Sequence, residues 1–131
     1  EAPIMAIRVK ERSVNVDCFV SSPAKRAKKT AKIFMKIFGI DKKDLILLPE
    51  LYEASSKNFY NAIERFDDGF DCVAIFSHNP GITDFVNTLT DYQIDNIPTS
   101  GVFAVSFEKE SWSDFRTSTK KFLFFDFPKS G

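Results

Sequence analysis

Short apolar runs alternate with amphipathic stretches along most of this chain. Runs rich in β-branched and aromatic residues, bounded by polar or turn residues, predict strands. They are Val14–Ser21, Leu45–Leu48, Asp71–Phe76, Val102–Phe107 and Phe122–Phe127. The third run is the most continuous, which is typical of a central strand buried on both faces.

Three stretches between these runs have the periodicity of amphipathic helices. The clearest begins with Ser22 as a cap and Pro23 at the first helical position, and it ends at Phe38 before Gly39. Its alanines and phenylalanines share one face, and its lysines lie on the other. Two further helices are predicted at Ser56–Phe66 and Ile82–Leu89.

The order of these elements predicts the fold class. Strand and helix alternate three times at short spacing, which favours an α/β sheet that is parallel in its centre. The last two strands are separated only by a polar segment around Trp112, so we expect an antiparallel pair at the edge. No repeat, low-complexity tract or linker interrupts the pattern, and residues 1–131 are therefore predicted to form one domain.

The first residues also have a helical pattern. Glu1–Val9 contains the apolar residues Ile4, Met5 and Ala6, but no Ser, Thr, Asp or Asn precedes it as a cap. A helix that begins without a cap suggests that the sequence starts inside a structural element. We therefore expect that an upstream segment belongs to the intact protein.

Composition narrows the function. The 131 residues include 18 Lys and Arg against 18 Asp and Glu, so the net charge is zero. A general binder of nucleic acid or membrane surfaces would need an excess of basic residues, so this balance argues against that class of function. No apolar run approaches the roughly 18 residues of a membrane span. Two cysteines do not make a disulfide framework, which favours a reducing compartment, and we expect the cytoplasm.

Two loops are placed where chemistry is expected. In open α/β sheets, ligands bind beyond the carboxyl ends of the strands, often at helix N-termini. The segments 21–26 and 77–81 both follow a predicted strand and precede a helix, so they should open on the same edge. Arg26 can fork onto phosphate oxygens, and His78, the one histidine, can donate to a phosphoryl oxygen or carry a proton. The alternative for each is an ordinary surface or structural residue.

Lysines surround the first of these loops. Lys25, Lys28 and Lys29 lie in the first two turns of the helix, where the helix dipole is already positive. Cations are mildly unfavourable there, and a bound anion would reverse that effect. The simpler interpretation of each lysine is a solvated helix surface.

Other chemistries have weaker support. Glu50 and Glu53 follow the second strand and could act as general acids if their pKa values were raised, although loop acids are usually just solvated. Cys18 and Cys72 lie in predicted strands, so both thiols are expected to be inert. In addition, Arg26 follows Cys18 by eight residues, whereas a cysteine phosphatase loop places its arginine six residues after the nucleophile. We expect no metal and no cofactor, because the sequence has neither a zinc-ligand pattern nor a glycine-rich nucleotide fingerprint.

Four stretches, taken in order, resemble a known family. VDCFVSSPAKRAKKTAKIF, PELYEAS, VAIFSHNPGITDFVN and IPTSGVFAVSF are similar to the phosphohistidine phosphatases of SixA type, a branch of the histidine phosphatase superfamily. The resemblance covers nearly the whole chain. It implies a three-layer α/β/α sheet like that of phosphoglycerate mutase, parallel in the centre with an antiparallel edge pair. It also implies that the first strand is absent from this sequence.

The resemblance also implies roles for individual residues. Arg26 matches the second phosphate-binding arginine and His78 the second histidine, and Asn79, beside it, is expected to bind phosphate as well. Glu50 is the nearer match to the proton donor, with Glu53 or no donor as the alternatives. The nucleophilic histidine belongs to an Arg-His-Gly motif that this sequence lacks. We expect that motif upstream of Glu1, and we expect the chain by itself to be inactive.

Two functions follow as hypotheses. The first is a cytoplasmic phosphatase that acts on phosphohistidine of a signalling protein, or on a small phosphoester, through a phosphohistidine enzyme intermediate. The second is an inactive member of the same fold that binds phosphate or a phosphoprotein. A phosphorylated protein or small phosphoester is the expected partner in both, with no nucleic acid and no membrane. The sequence does not indicate an oligomeric state.

Overall fold

The structure is a computed structural model that describes residues 1–108 and 110–129. Helices and strands alternate through the first two thirds of the chain, and a strand pair follows. The helices are α1 (Ala2–Glu11), α2 (Lys25–Phe38), α3 (Ser56–Ile63) and α4 (Gly81–Val86). The strands are β1 (Cys18–Ser21), β2 (Ile46–Leu47), β3 (Val73–Phe76), β4 (Val102–Phe107) and β5 (Lys120–Asp126).

The sheet is parallel where the pattern predicted it. The strand order is β2-β1-β3, with Cys18 opposite Val73 and Ser21 opposite Phe76. Strands β4 and β5 pair in antiparallel fashion as a separate two-stranded sheet. Both predictions are confirmed, and within the described residues no ladder joins β3 to β4.

Alternating side chains of β3 pack on opposite faces of the sheet. Val73 and Ile75 contact the core that includes α3 and α4, whereas Ala74 and Phe76 contact the core that includes α1 and α2. Strand β4 divides its residues between the same two cores, with Phe103 in the first. The two small sheets therefore lie in one layer between two helical layers, which is the predicted α/β/α arrangement.

Helix α1 forms as predicted, and no side chain caps it. Met5 and Ala6 are fully buried against α2. A guanidinium nitrogen of Arg8 lies 3.3 Å from a carboxylate oxygen of the buried Asp126 at the end of β5. This ion pair joins the first helix to the last strand.

Helix α2 begins two residues later than predicted. Its N-cap is Ala24, in an extended conformation, and no side chain caps it. Ser22 instead donates its backbone N–H to the carbonyl oxygen of Phe76 at 2.9 Å, which continues the sheet bonding past β1. The end of α2 is as predicted, because Gly39 has φ +72° and closes the helix in the left-handed region.

Strands β1 and β3 are also shorter than predicted. The carboxylate of Asp17 accepts hydrogen bonds from the backbone N–H groups of Asp71 (2.9 Å) and Cys72 (3.0 Å). This clamp occupies the positions just before both strands, so Cys72 precedes β3 and does not lie inside it. Among the described residues, no helix has the length and apolar character needed to cross a membrane.

Candidate functional site

Three loops meet at the carboxyl edge of the parallel sheet. The N–H of Leu48 donates to the carbonyl oxygen of Ser21 at 2.9 Å, so the ends of β1 and β2 are joined. The hydroxyl of Ser77 donates to the carbonyl oxygen of Leu51 at 3.3 Å, which connects the loop after β3 to the turn after β2. The segments 21–26 and 77–81 therefore open on one edge, as parallel strands require.

His78 is held at this edge by backbone and ring contacts. Its Nε2 accepts a long hydrogen bond of 3.4 Å from the N–H of Glu53, and the Tyr52 and imidazole rings meet in a T-shaped arrangement with their centroids 5.7 Å apart. Its Nδ1 is buried and has no hydrogen-bond partner among the described residues. Buried polar atoms are nearly always paired, so this nitrogen marks a place where a ligand or another segment is expected to contribute.

Arg26 lies in the first turn of α2, directly after the edge that Ser21 and Ser22 form. Its side chain is exposed and has no acceptor or carboxylate partner among the described residues. Ser21 and Ser22 are both fully buried. The guanidinium is therefore free to bind an anion at the same edge as His78.

The side chain of Asn79 is engaged in hydrogen bonds within the protein. Its amide group donates to the side-chain oxygen of Asn96 and to the carbonyl oxygen of Ile97, each at 2.9 Å. Its oxygen accepts from the hydroxyl of Thr83 at 2.5 Å. Both amide hydrogens thus hold the loop 94–97, and phosphate binding by Asn79, which stays a prediction, would require one of these bonds to be exchanged.

The two candidate acids lie in different surroundings. Glu50 accepts a 2.5 Å hydrogen bond from Arg65, and both residues line a groove with Cys18 and Ala62. No hydrogen bond or ion pair joins Glu50 to His78 or Arg26 in the described part of the chain. Glu53 has φ +51° and places its backbone N–H on His78. The backbone of Glu53 therefore contacts the imidazole.

Sequence reasoning missed two residues of this site, Tyr52 and Arg65. Tyr52 packs on the imidazole ring, and Arg65 binds Glu50 from 15 positions further along the chain. Nothing in the local pattern distinguishes either one from a surface residue. Both contacts depend on where the loop after β2 lies relative to α3 and β3.

The cysteines agree with the expectation that they are inert. Burial, assisted by the nearby Asp17 carboxylate, raises the pKa of the Cys18 thiol to about 11. Burial also raises the pKa of Cys72, with Asp17 and Asp71 adding to the effect. Both thiols are therefore protonated near neutral pH and are weak nucleophiles. In residues 1–108 and 110–129, no three His, Cys, Asp or Glu side chains converge as metal ligands.

Comparisons with known proteins extend this picture. No protein-family model and no curated protein sequence matches the chain. Solved structures do match, and one is the protein histidine phosphatase SixA complexed with tungstate. It has a TM-score of 0.78 and 20% identity, over 95% of this chain and 77% of that one.

Two other similar structures were assigned as phosphohistidine phosphatase SixA. The protein from Agrobacterium tumefaciens has a TM-score of 0.74 and 21% identity, over 97% of this chain and 78% of that one. The protein from Nakamurella multipartitia has a TM-score of 0.75 and 14% identity, over 98% of this chain and 80% of that one. Sequence identity this low speaks to architecture and not to activity. The chain has the α/β fold of the SixA phosphohistidine phosphatases.

Proposed function

We propose that this chain belongs to a cytoplasmic phosphohistidine phosphatase of SixA type, acting on phosphohistidine of a signalling protein or on a small phosphoester. One observation carries the proposal: on a SixA fold, His78 and Arg26 lie at one sheet edge, and neither the Arg26 guanidinium nor the buried Nδ1 of His78 has a partner among the described residues. A site that binds a phosphoryl group needs hydrogen-bond donors that are not already paired within the protein. The SixA neighbour complexed with tungstate, a tetrahedral oxyanion, supports the same ligand class.

The nucleophile in this proposal is a histidine on a segment that precedes Glu1 in the intact protein. The support is the arrangement of β3 and β4, which share one layer and the same two cores but are not hydrogen-bonded to each other. One further strand between them would complete the sheet. If it ran parallel to β3, its carboxyl end would lie beside His78 and could carry the nucleophile there.

The reaction follows from these positions. The upstream histidine attacks phosphorus, the bond from phosphorus to the substrate's imidazole nitrogen or oxygen breaks, and that leaving atom takes a proton. Water then attacks the phosphohistidine enzyme, which releases inorganic phosphate and restores the free histidine. Arg26 would bind two phosphoryl oxygens. His78, whose Nε2 accepts from the N–H of Glu53, would carry its proton on Nδ1 and donate a hydrogen bond from there to another phosphoryl oxygen.

The proton donor is the least constrained part of the mechanism. We place Glu53 in that role for substrates with poor leaving groups, because its backbone lies next to His78 whereas Glu50 is engaged by Arg65. A phosphohistidine leaves as an imidazole and needs less assistance from an acid than an alcohol does. The proposal therefore allows efficient turnover of phosphohistidine even with a weak donor.

Turnover of the intact protein tests this function. With an aryl phosphate and a phosphohistidine peptide, we expect His78→Ala and Arg26→Ala each to lower kcat/KM by about 100-fold, on the scale of one lost oxyanion donor. Lys121→Ala, a change of an exposed lysine on β5, is the control and should keep wild-type turnover. Wild-type rates in both site variants would refute the assignment.

The second candidate, a phosphate-binding protein without turnover, is favoured by the lack of an Arg-His-Gly motif in these 131 residues. It predicts that the intact protein binds tungstate or phosphate by calorimetry but does not hydrolyse either substrate. The coding sequence upstream of Glu1 separates the two candidates most cheaply. An apolar strand followed by Arg-His-Gly would eliminate the binding-only function.

A further inference from the structure

Helix α2 concentrates positive charge on one face. Its lysines are spaced i, i+3, i+4, i+7 and i+11, so they form a single stripe about 16 Å long at 1.5 Å per residue. We call this stripe the α2 lysine face; it consists of Lys25, Lys28, Lys29, Lys32 and Lys36. The helix has no acidic residue, although the whole chain has equal numbers of acidic and basic residues.

No described carboxylate neutralises the charges of the α2 lysine face. Arg8, Arg65 and Arg116 each lie within 4 Å of a carboxylate. None of the five lysines has such a partner among the described residues. Lys25 and Lys28 also lie in the first turn, where the helix dipole adds positive potential. The face is thus a locally unfavourable arrangement that an external anion would relieve.

A groove runs beside the α2 lysine face. It has a volume of about 580 Å³, and its lining combines the five lysines of the face with Ile33, Ile40 and Lys42. A partner that fits this groove must therefore bring acidic groups for the lysines and apolar side chains for the isoleucines.

We propose that the α2 lysine face docks an acidic, partly apolar surface of a protein partner, namely the phosphoprotein substrate of the proposed function, on which this inference rests. The positive charge of the lysines favours an acidic partner. Ile33 and Ile40 add apolar surface, which favours a protein over other polyanions. The groove lining has no arginine and no aromatic side chain, the groups that contact phosphates bidentately and stack on bases.

The position of the face connects docking to catalysis. The stripe begins at Lys25, and Arg26 follows it at the same end of α2, beside the edge that carries His78. A partner that lies along α2 therefore presents its phosphorylated residue at the candidate site. Substrate selection would then reside in a surface that the small phosphate group itself does not touch.

Binding of an unphosphorylated probe tests the surface without any catalysis. The probe is a 20-residue helical peptide with glutamates on one face and leucines beside them, and its affinity for the intact protein is measured by fluorescence anisotropy at low salt. We expect Lys28→Glu combined with Lys32→Glu to weaken binding at least tenfold. The matched control reverses two exposed lysines elsewhere, Lys121→Glu with Lys129→Glu, and should change binding less than twofold. Added salt should weaken the wild type, because exposed charges are screened.

Several outcomes would overturn the docking proposal. Equal losses in the two double variants would show a net-charge effect and not a surface. Equal binding of a peptide with glutamine in place of glutamate would exclude charge complementarity. A variant that loses affinity for an oligonucleotide or for anionic vesicles while it keeps the acidic peptide would assign the face to a different class of partner.

Kinetics separates this inference from the proposed function. On a phosphohistidine joined to the acidic helix, the Lys28→Glu/Lys32→Glu variant should raise KM about tenfold with little change in kcat. Its turnover of an aryl phosphate should remain at the wild-type level, and its thermal unfolding should match that of the control. If the wild type does not hydrolyse the aryl phosphate, the function fails, while the peptide-binding result still decides the docking surface.

Discussion

A Cβ atom on Gly81 would lie 2.2 Å from the carbonyl oxygen of Ala54. The start of α4 and the loop after β2 approach so closely that only a hydrogen atom fits between them. Because Tyr52 and Glu53 lie just before Ala54, this contact also sets where they meet His78. Close packing at Gly81 thus supports the geometry of the candidate site.

Gly81→Ala should both destabilise the protein and disturb the site. The added methyl must push a backbone carbonyl away, and overpacking of this kind costs about 1–3 kcal/mol. Urea unfolding measures the loss, and aryl phosphate turnover of the intact protein reports the displacement of His78. In the control Gly69→Ala the nearest atom is the tip of the Asp67 side chain at 3.0 Å, which can move, so its loss should be smaller. Equal losses would contradict the special role of the Ala54 contact.

The two candidate acids can be separated by leaving group. We expect Glu53→Gln to slow hydrolysis of an alkyl phosphate about tenfold more than that of an aryl phosphate, because only the alkoxide needs a proton donor. Glu50→Gln should leave both rates within about twofold. Its stability loss should be about 0.2–1 kcal/mol, since the pair with Arg65 is exposed. A selective loss of alkyl phosphate turnover in Glu50→Gln would return the donor role to Glu50.

Replacement of Asn79 distinguishes positioning from phosphate binding. Asn79→Ala leaves the Asn96 side chain and the Ile97 carbonyl without their donor, so we expect a loss of about 1–3 kcal/mol in the free energy of unfolding. Hydrogen exchange should rise mainly in residues 94–97. If Asn79 were instead a direct phosphate ligand, tungstate affinity measured by calorimetry would fall while the stability stayed near that of the wild type.

The buried thiols predict how stability depends on alkaline pH. The pKa of Cys18 is raised to about 11, above the roughly 8.5 of an unfolded cysteine, so the unfolded state loses its proton first. The contribution of the Cys18 thiol to the free energy of unfolding is fully present below pH 8.5 and is lost as pH rises towards 11. Urea unfolding at pH 8, 9.5 and 10.5 measures the decline, which should be shallower in Cys18→Ala. Identical slopes in the two proteins would contradict this origin.

Local pattern predicted the elements well where local forces decide them. Helix α2 ends at Gly39 as expected, because glycine adopts the left-handed conformation without a steric penalty. Strand β4 has the predicted bounds, since its apolar run ends in polar residues on one side and follows a turn on the other. These features depend on neighbours only a few residues apart.

Errors arose where partners lie far apart in the sequence. Ser22 looks like a helix cap, but its N–H bonds to Phe76 in the neighbouring strand, so the helix starts later. The Asp17 carboxylate similarly occupies the backbone N–H of Cys72, 55 residues away, and delays β3. No window of local sequence contains both members of such a pair.

The sequence by itself determined the alternation of strands and helices, the parallel centre and the edge that brings Arg26 and His78 to one side. Periodicity and end signals are sufficient for these, because each strand must bury its apolar residues and parallel strands end together. The tertiary structure decided that the backbone N–H of Glu53 meets His78, that Asn79 holds the loop 94–97, and that the α2 lysines have no acidic partners among the described residues. Those outcomes depend on which loops approach each other once the helices pack on the sheet, and residue spacing does not encode that approach.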